Sequence, residues 1–312
     1  MSKQSLAAER RAIRKKRAKL NRTGPLHVML IPAVILTFLF SYLPLGGLVM
    51  AFQNFKPLLG FTKSQWVGFE QFRYIFSIPS FWSSFRNTFI IAFFKIILNI
   101  LVPLILALLL NELAGRHFKR FVQTVVFVPY FFSWAILGGM VIEIFSYDGA
   151  INNAIQALGG EPIAFLVSNT WFRPIVIVSD VWKGVGYNMI LFLAAITNVD
   201  PTLYEAAMVD GAGRIKQLTK ITLPSIASMV VLLTILGLGG ILNAGFEQIF
   251  ILYNPIVEKT VDILDTFVYR LGIVSTQYSA AAAAGLFKSV VSMVFVGASY
   301  LIAYKVTDYR VF

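Results

Sequence analysis

The chain has 312 residues, 57% of them hydrophobic and only 13% charged, with a mean hydropathy of +0.74. A soluble domain needs about a quarter of its residues charged to coat its surface, so much of this exterior faces something other than water. The net charge of +12 gathers in the first 22 residues, which hold nine Lys or Arg against the single acid Glu9; such a tail before a long apolar run is the cytoplasmic flank of a membrane span, and nucleic acid is set aside.

Crossing the hydrocarbon layer takes roughly 20 apolar residues as a helix. Six stretches meet that requirement, near 28–51, 89–110, 121–145, 174–197, 225–250 and 283–304. The basic tail covers 1–26 and the transmembrane domain 27–312. The first stretch is too long for a signal-peptide core and lacks a small-residue cleavage site, so it reads as a retained anchor. Pro32, Pro44, Pro103 and Pro129 lie in or near the spans, where neighbouring groups can satisfy the freed carbonyls. Residues 53–86 carry Trp66, Phe69, Phe72, Tyr74, Phe76, Phe81 and Trp82. They predict an interfacial helix at headgroup level, with a dedicated partner surface as the competing reading.

Loop charge sets the orientation. Beyond the tail, Arg116, Lys119, Arg120, Arg214, Lys216, Lys220, Lys305 and Arg310 fall on one side. The other side has Lys56, Lys63, Arg73, Arg86, Lys259 and Arg270. The positive-inside rule then puts both termini in the cytoplasm. The expected fold is all-α and polytopic, with six transmembrane helices. No Cys is present and the two His, His27 and His117, are isolated, so no disulfide and no thiolate or His metal centre is expected. Gly285 to Ser289 only superficially suggests a phosphate-binding loop, because no glycine directly precedes Lys288. No catalytic residues are assigned.

The loop from Asp200 to Pro224 is the most informative segment. Asp200 followed by Pro201 is a strong helix start, a side-chain cap before a residue whose missing N–H costs nothing at the first position. Tyr204, Ala207, Met208 and Gly211 share one face at helical spacing. Gly211 or Gly213 can supply the left-handed residue that ends the helix. A helix this short is marginal alone in water and makes most sense as an insert in a partner's groove.

Within the spans, Asp180 and Lys183 are three residues apart, which places them for a local ion pair. Lys95, Glu143 and Lys288 are accounted for by helix packing, snorkelling or interhelical pairing. Gly138, Gly139, Gly237, Gly239 and Gly240 predict close helix contacts. Tyr187, Asn188, Asn243, Glu247 and Gln248 place an aromatic ring, amides and a carboxylate in or beside two spans, groups suited to line the path of a polar substrate.

Glu205-Ala206-Ala207, then Gly211, then Ile221-Thr-Leu223-Pro224 resemble the EAA loop of binding-protein-dependent ABC importer permeases at every signature position. The segments 66–70 (WVGFE), 86–88 (RNT), 182–188 (WKGVGYN) and 243–250 (NAGFEQIF) resemble the carbohydrate-uptake branch, and the last looks most like the group for complex saccharides. The likeness covers about residues 27–312. It implies a cytoplasmic coupling helix in a cleft of the ATPase, with Glu205, Ala206 and Gly211 as contact or geometry residues and Ala207, Asp210 and Ala212 beside them. It also implies that the segments of Asn188 and Asn243 line the translocation path.

The resemblance further implies a multi-pass subunit of the bacterial cytoplasmic membrane that imports an oligosaccharide or complex saccharide. Its partners would be a second, similar permease subunit in a heterodimer, two ATPase subunits and an extracytoplasmic binding protein. ATP and Mg would sit on the ATPase subunits, with no cofactor on this chain. Another solute, such as a polyol or a glycerol-phosphate-like compound, is the alternative within transport. A gradient-driven carrier is the alternative class, but it would leave the EAA loop unexplained and would be expected to show inverted repeats.

Overall fold

The computed structural model describes Pro25 and residues 27–113 and 115–307, with side chains described to residue 301. The basic tail, the Lys305 side chain and Arg310 lie outside those described parts. Helix α1 (His27–Phe52) changes pitch midway, from a π turn over Phe38–Tyr42 to a tighter 3-10 stretch over Leu43–Phe52. Pro44 has no N–H to donate and its ring crowds the carbonyl four residues back, so a regular ladder cannot run through it. Residues 27–46 are exposed on every side, which an apolar helix tolerates when its solvent is hydrocarbon.

After α1 the chain makes a two-residue antiparallel ribbon, β1 (Gln53–Asn54) with β2 (Gln65–Trp66). Helix α2 (Glu70–Ser77) follows. The aromatic segment is thus a ribbon and a short helix rather than one helix over 53–86: Phe52 stacks on Trp66 and meets Phe69 edge-on, and Ile75 is fully buried. Helix α3 (Pro79–Glu112) begins ten residues before the predicted span, with Pro79 preset for its first turn.

The predicted span 121–145 is not one helix. Helix α4 (Arg116–Phe127) runs into a 3-10 turn over Val128–Phe131, and α5 (Trp134–Phe145) restarts after extended backbone at Phe132 and Ser133. Pro129 interrupts the ladder there. Helix α6 (Ala150–Ala157) continues the apolar stretch from Trp134. Helix α7 (Phe172–Thr197) is the central span, and the short α8 (Pro201–Val209) follows it.

The predicted span 225–250 is also altered. Helices α9 (Arg214–Ser225) and α10 (Ala227–Gly239) meet at 55°. The chain then turns through 240–245 and resumes as α11 (Phe246–Leu252). Gly239 and Gly240 weaken the helix, and Gly245 has φ +93°, a region L side chains rarely enter. Helix α12 (Leu264–Tyr269) and the last span α13 (Tyr278–Thr307) complete the fold. Among the described residues, α1, α3, Trp134–Ala157, α7 and α13 are long and apolar enough to span, and the bent α9–α10 pair meets the same length and composition when taken as one broken helix.

Three cores hold the helices. Helix α3 packs along α7. One core joins Ile91 of α3, Phe172 and Val176 of α7, and Ala244 and Ile249 beside the 240–245 turn. A second joins Ala107, Met189, Phe192 and Ile226 near the α8 end. A third sets Ile75, Phe81 and Phe267 on the alanine tract of α13, where Ala280, Ala283 and Ala284 are buried. Close approach needs glycine at two crossings. A Cβ on Gly186 would lie 2.5 Å from Phe127 Cα, and one on Gly138 2.6 Å from Ile251 Cγ2.

Candidate functional site

At one end of the bundle, α8 is built as its sequence demands. The Asp200 carboxylate accepts the Thr202 N–H at 2.9 Å, and this bond holds the acid below the usual carboxylate range. The helix ends in a complete Schellman stop: Ala212 N–H donates to Ala207 O at 2.8 Å, and Gly211 N–H to Met208 O at 3.1 Å. Gly211 is the left-handed residue at φ +70°. Gly213, at φ −67°, instead precedes α9. Tyr204 and Ala207 turn inward, with the Tyr204 hydroxyl 2.9 Å from Thr222 Oγ1. Glu205, Ala206, Asp210 and Gly211 are exposed, as are Met208, Val209 and Ile215, while Ala212 is half-buried. The helix therefore rests on the chain through Tyr204 and Ala207 and turns a mixed surface of Glu205, Ala206, Met208, Val209 and Asp210 outward.

Midway through the bundle lies a cavity of about 450 Å³ lined by Lys95, Asn99, Asp180, Asn188, Asn243 and Gly245, among others. Asn188 donates to Asn99 O at 3.1 Å, and Asn99 donates to Asp180 Oδ2 at 3.0 Å. Asp180 Oδ1 accepts Lys95 Nζ at 3.0 Å. The expected Asp180–Lys183 pair is therefore not formed. Lys183 turns to the carbonyls of Tyr130 and Phe132, with its Nζ 5.6 Å from the Trp134 ring centroid. A cation there satisfies carbonyls freed by the α4–α5 break, which hydrocarbon could not do.

The other residues expected on the path separate. Asn243 is exposed at the cavity. Gln248 is fully buried, donating to Val176 O at 2.7 Å and Ser179 Oγ at 2.8 Å and accepting from Lys95. Its amide is spent within the protein. Glu247 is exposed and is not among the cavity's lining residues. Tyr187 stacks on Tyr130 at 4.8 Å between centroids, also away from the cavity lining. Lys95 is the residue that sequence reasoning undervalued. The available signal was an ammonium at the middle of an otherwise apolar span, where ionisable groups are costly.

At the opposite end, a polar knot ties residues 253–278 to the start of α3. Asp262, 2% exposed, accepts both Arg270 nitrogens at 2.9 and 2.6 Å, Ser84 Oγ at 2.6 Å and Thr266 Oγ1 at 2.7 Å. Burial opposes the Arg270 cation, but the Asp262 carboxylate prevails and holds the guanidinium above its ordinary range. Asn87 donates to Lys259 O and Asp262 O, Arg173 donates to Asn87 Oδ1, and Thr88 Oγ1 accepts Leu264 N–H. This gives Asn87 and Thr88 of the 86–88 segment a structural role. Lys288 pairs with Asp265 nearby, so of packing, snorkelling and interhelical pairing the structure shows the last.

Residues 99–308 match the family described as binding-protein-dependent transport system inner membrane component. Protein LplB of Bacillus subtilis (strain 168) is 44% identical over 91% of this chain and 90% of its own length. The polygalacturonan/rhamnogalacturonan transport system permease protein YteP of the same organism is 42% identical over 89% and 87%. A crystal structure of a bacterial alginate ABC transporter, in complex with an alginate pentasaccharide-bound periplasmic protein, contains a chain with TM-score 0.87 and 36% identity, covering 94% of this chain and 99% of that one. With that match across both broken spans and the loop between them, the chain belongs to the binding-protein-dependent transport system inner membrane component family, as a multi-pass membrane permease of the ABC transporter type.

Proposed function

We propose that this chain is one transmembrane subunit of an ATP-driven importer that moves an oligosaccharide or complex saccharide across the bacterial cytoplasmic membrane. The observation that carries the reading is α8: a capped, Schellman-stopped helix seated through Tyr204 and Ala207, with Glu205, Ala206 and Met208 outward. A partner ATPase seated on that surface would move α8, and with it the end of α7 and the start of α9. The chain would work beside a second, similar permease and two ATPase subunits that hold ATP and Mg, and it would receive cargo from an extracytoplasmic binding protein. The cargo class is supported by the cavity, where Asn188, Asn243 and Asp180 offer hydroxyl partners among apolar walls, and by the likeness to the polygalacturonan/rhamnogalacturonan permease and to the alginate transporter.

The test is purification with the neighbouring subunits and an ATPase assay with and without binding protein and candidate saccharides. Stimulation only in the complete, ligand-loaded assembly is expected. ATP hydrolysis by this chain alone would refute the division of labour, and stimulation by polyols but not saccharides would move the cargo class.

A further inference from the structure

We propose that Lys95 is a positioning residue for the saccharide: it fastens the 240–245 turn so that Asn243 faces the same cavity as Asp180 and Asn188. The proposal rests on the saccharide-importer reading above. An ammonium has three protons, and all three are taken here, by Asp180 Oδ1, Ala244 O at 2.7 Å and Gln248 Oε1. Lys95 is only 6% exposed and sits halfway along α3. It has nothing left to offer a ligand.

What it holds is the wall a ligand would meet. Its acceptors come from α7 on one side and from the turn and α11 on the other. The turn bends at the ammonium itself: a Cβ on Gly245 would lie 3.0 Å from Lys95 Nζ, and Gly245 takes φ +93°. Asn243 precedes the anchored Ala244 by one residue, so the anchored carbonyl sets the direction in which Asn243 projects. Asp180 is shared between Lys95 and Asn99 yet remains 25% exposed. A carboxylate has about four acceptor sites, so it keeps capacity for sugar hydroxyls while Lys95 balances its charge.

The experiment uses the complete importer in proteoliposomes and measures initial uptake of radiolabelled oligogalacturonides and alginate oligosaccharides, continuing with whichever the wild type carries. The variants are Lys95→Met, Asn243→Ala, their double, and Lys95→Arg. Residues acting through one another lose activity non-additively, so each single is expected to lose about tenfold and the double no more than about twofold further. Lys95→Arg keeps the charge and several donors, and is expected to recover most of the uptake. Losses that multiply in the double, or full uptake by Lys95→Met, would overturn the proposal. Where Lys95→Met does not accumulate in the membrane, Lys95→Gln, uncharged but still polar among Asp180, Ala244 and Gln248, serves in the same cycle, with the same outcomes deciding. A wild-type importer that carries no saccharide would overturn the cargo reading itself, whereas an additive cycle in an active importer overturns only the role of Lys95.

Discussion

Gly211 separates backbone strain from partner contact. A Cβ there meets nothing within 4 Å inside the chain, so within this subunit the cost of Gly211→Val is conformational. The left-handed region costs an L residue roughly 1–2 kcal/mol, and a β-branched residue is among the least tolerant. That energy opposes the two bonds of the Schellman stop, Ala212 N–H to Ala207 O and Gly211 N–H to Met208 O. Since about 1.4 kcal/mol is a factor of ten in an equilibrium, the formed stop should lose roughly tenfold in population relative to frayed forms. Gly211→Asn should lose much less, because Asn enters this region more readily. Gly213→Ala should change little, because φ −67° is open to any residue. The assay is saccharide taken up per ATP hydrolysed in the reconstituted importer. The expected order is Gly213→Ala near wild type, Gly211→Asn mildly reduced and Gly211→Val strongly reduced. Equal damage at 213 and 211, or full coupling in Gly211→Val, would refute the reasoning.

Three further outcomes follow from packing and polar satisfaction. Asp262→Ala leaves the Arg270 guanidinium without its bidentate partner; breaking a buried pair costs about 3–5 kcal/mol, and the 30% exposure of Arg270 reduces this to about 2–3 kcal/mol. A lower melting temperature in detergent and faster proteolysis within 253–278 are expected, and an unchanged melting temperature would count against the knot. Gly186→Val drives its side chain into the α4 backbone at Phe127 and should destabilise by about 1–3 kcal/mol or more, read as reduced recovery of folded protein after heating. Gln248→Leu leaves one Lys95 proton without an acceptor and removes the amide donor to Val176 O and Ser179 Oγ, and should cost about 1–3 kcal/mol, whereas the exposed Glu247→Gln should stay within about 0.5 kcal/mol; equal melting temperatures for the pair would contradict their assigned environments.

Much of the membrane architecture was legible because hydrocarbon imposes a length and an apolar composition on every span. The loop was legible for a different reason: Asp200-Pro201 and Gly211 act through their own backbone and immediate neighbours, and local signals survive without tertiary context. The broken spans were not legible. Windows 121–145 and 225–250 stay apolar across Pro129 and Gly239-Gly240, and hydropathy does not register a change of backbone direction.

The polar residues of the spans divide the same way. Their chemistry could be read from sequence, but their partners could not. Asp180 and Lys183 satisfy the spacing rule for a pair on one helix, yet α3 brings Lys95 to Asp180 from 85 positions away, and the α4–α5 break supplies carbonyls to Lys183. Gln248 and Glu247 are neighbours in sequence with opposite fates, because helical rotation turns one into the core and the other outward. The sequence by itself determined a multi-span, all-α membrane subunit and the capped, Gly-terminated helix of the 200–224 loop. Only the tertiary structure decided which amides face the cavity, because helix packing rather than composition sets where each side chain points.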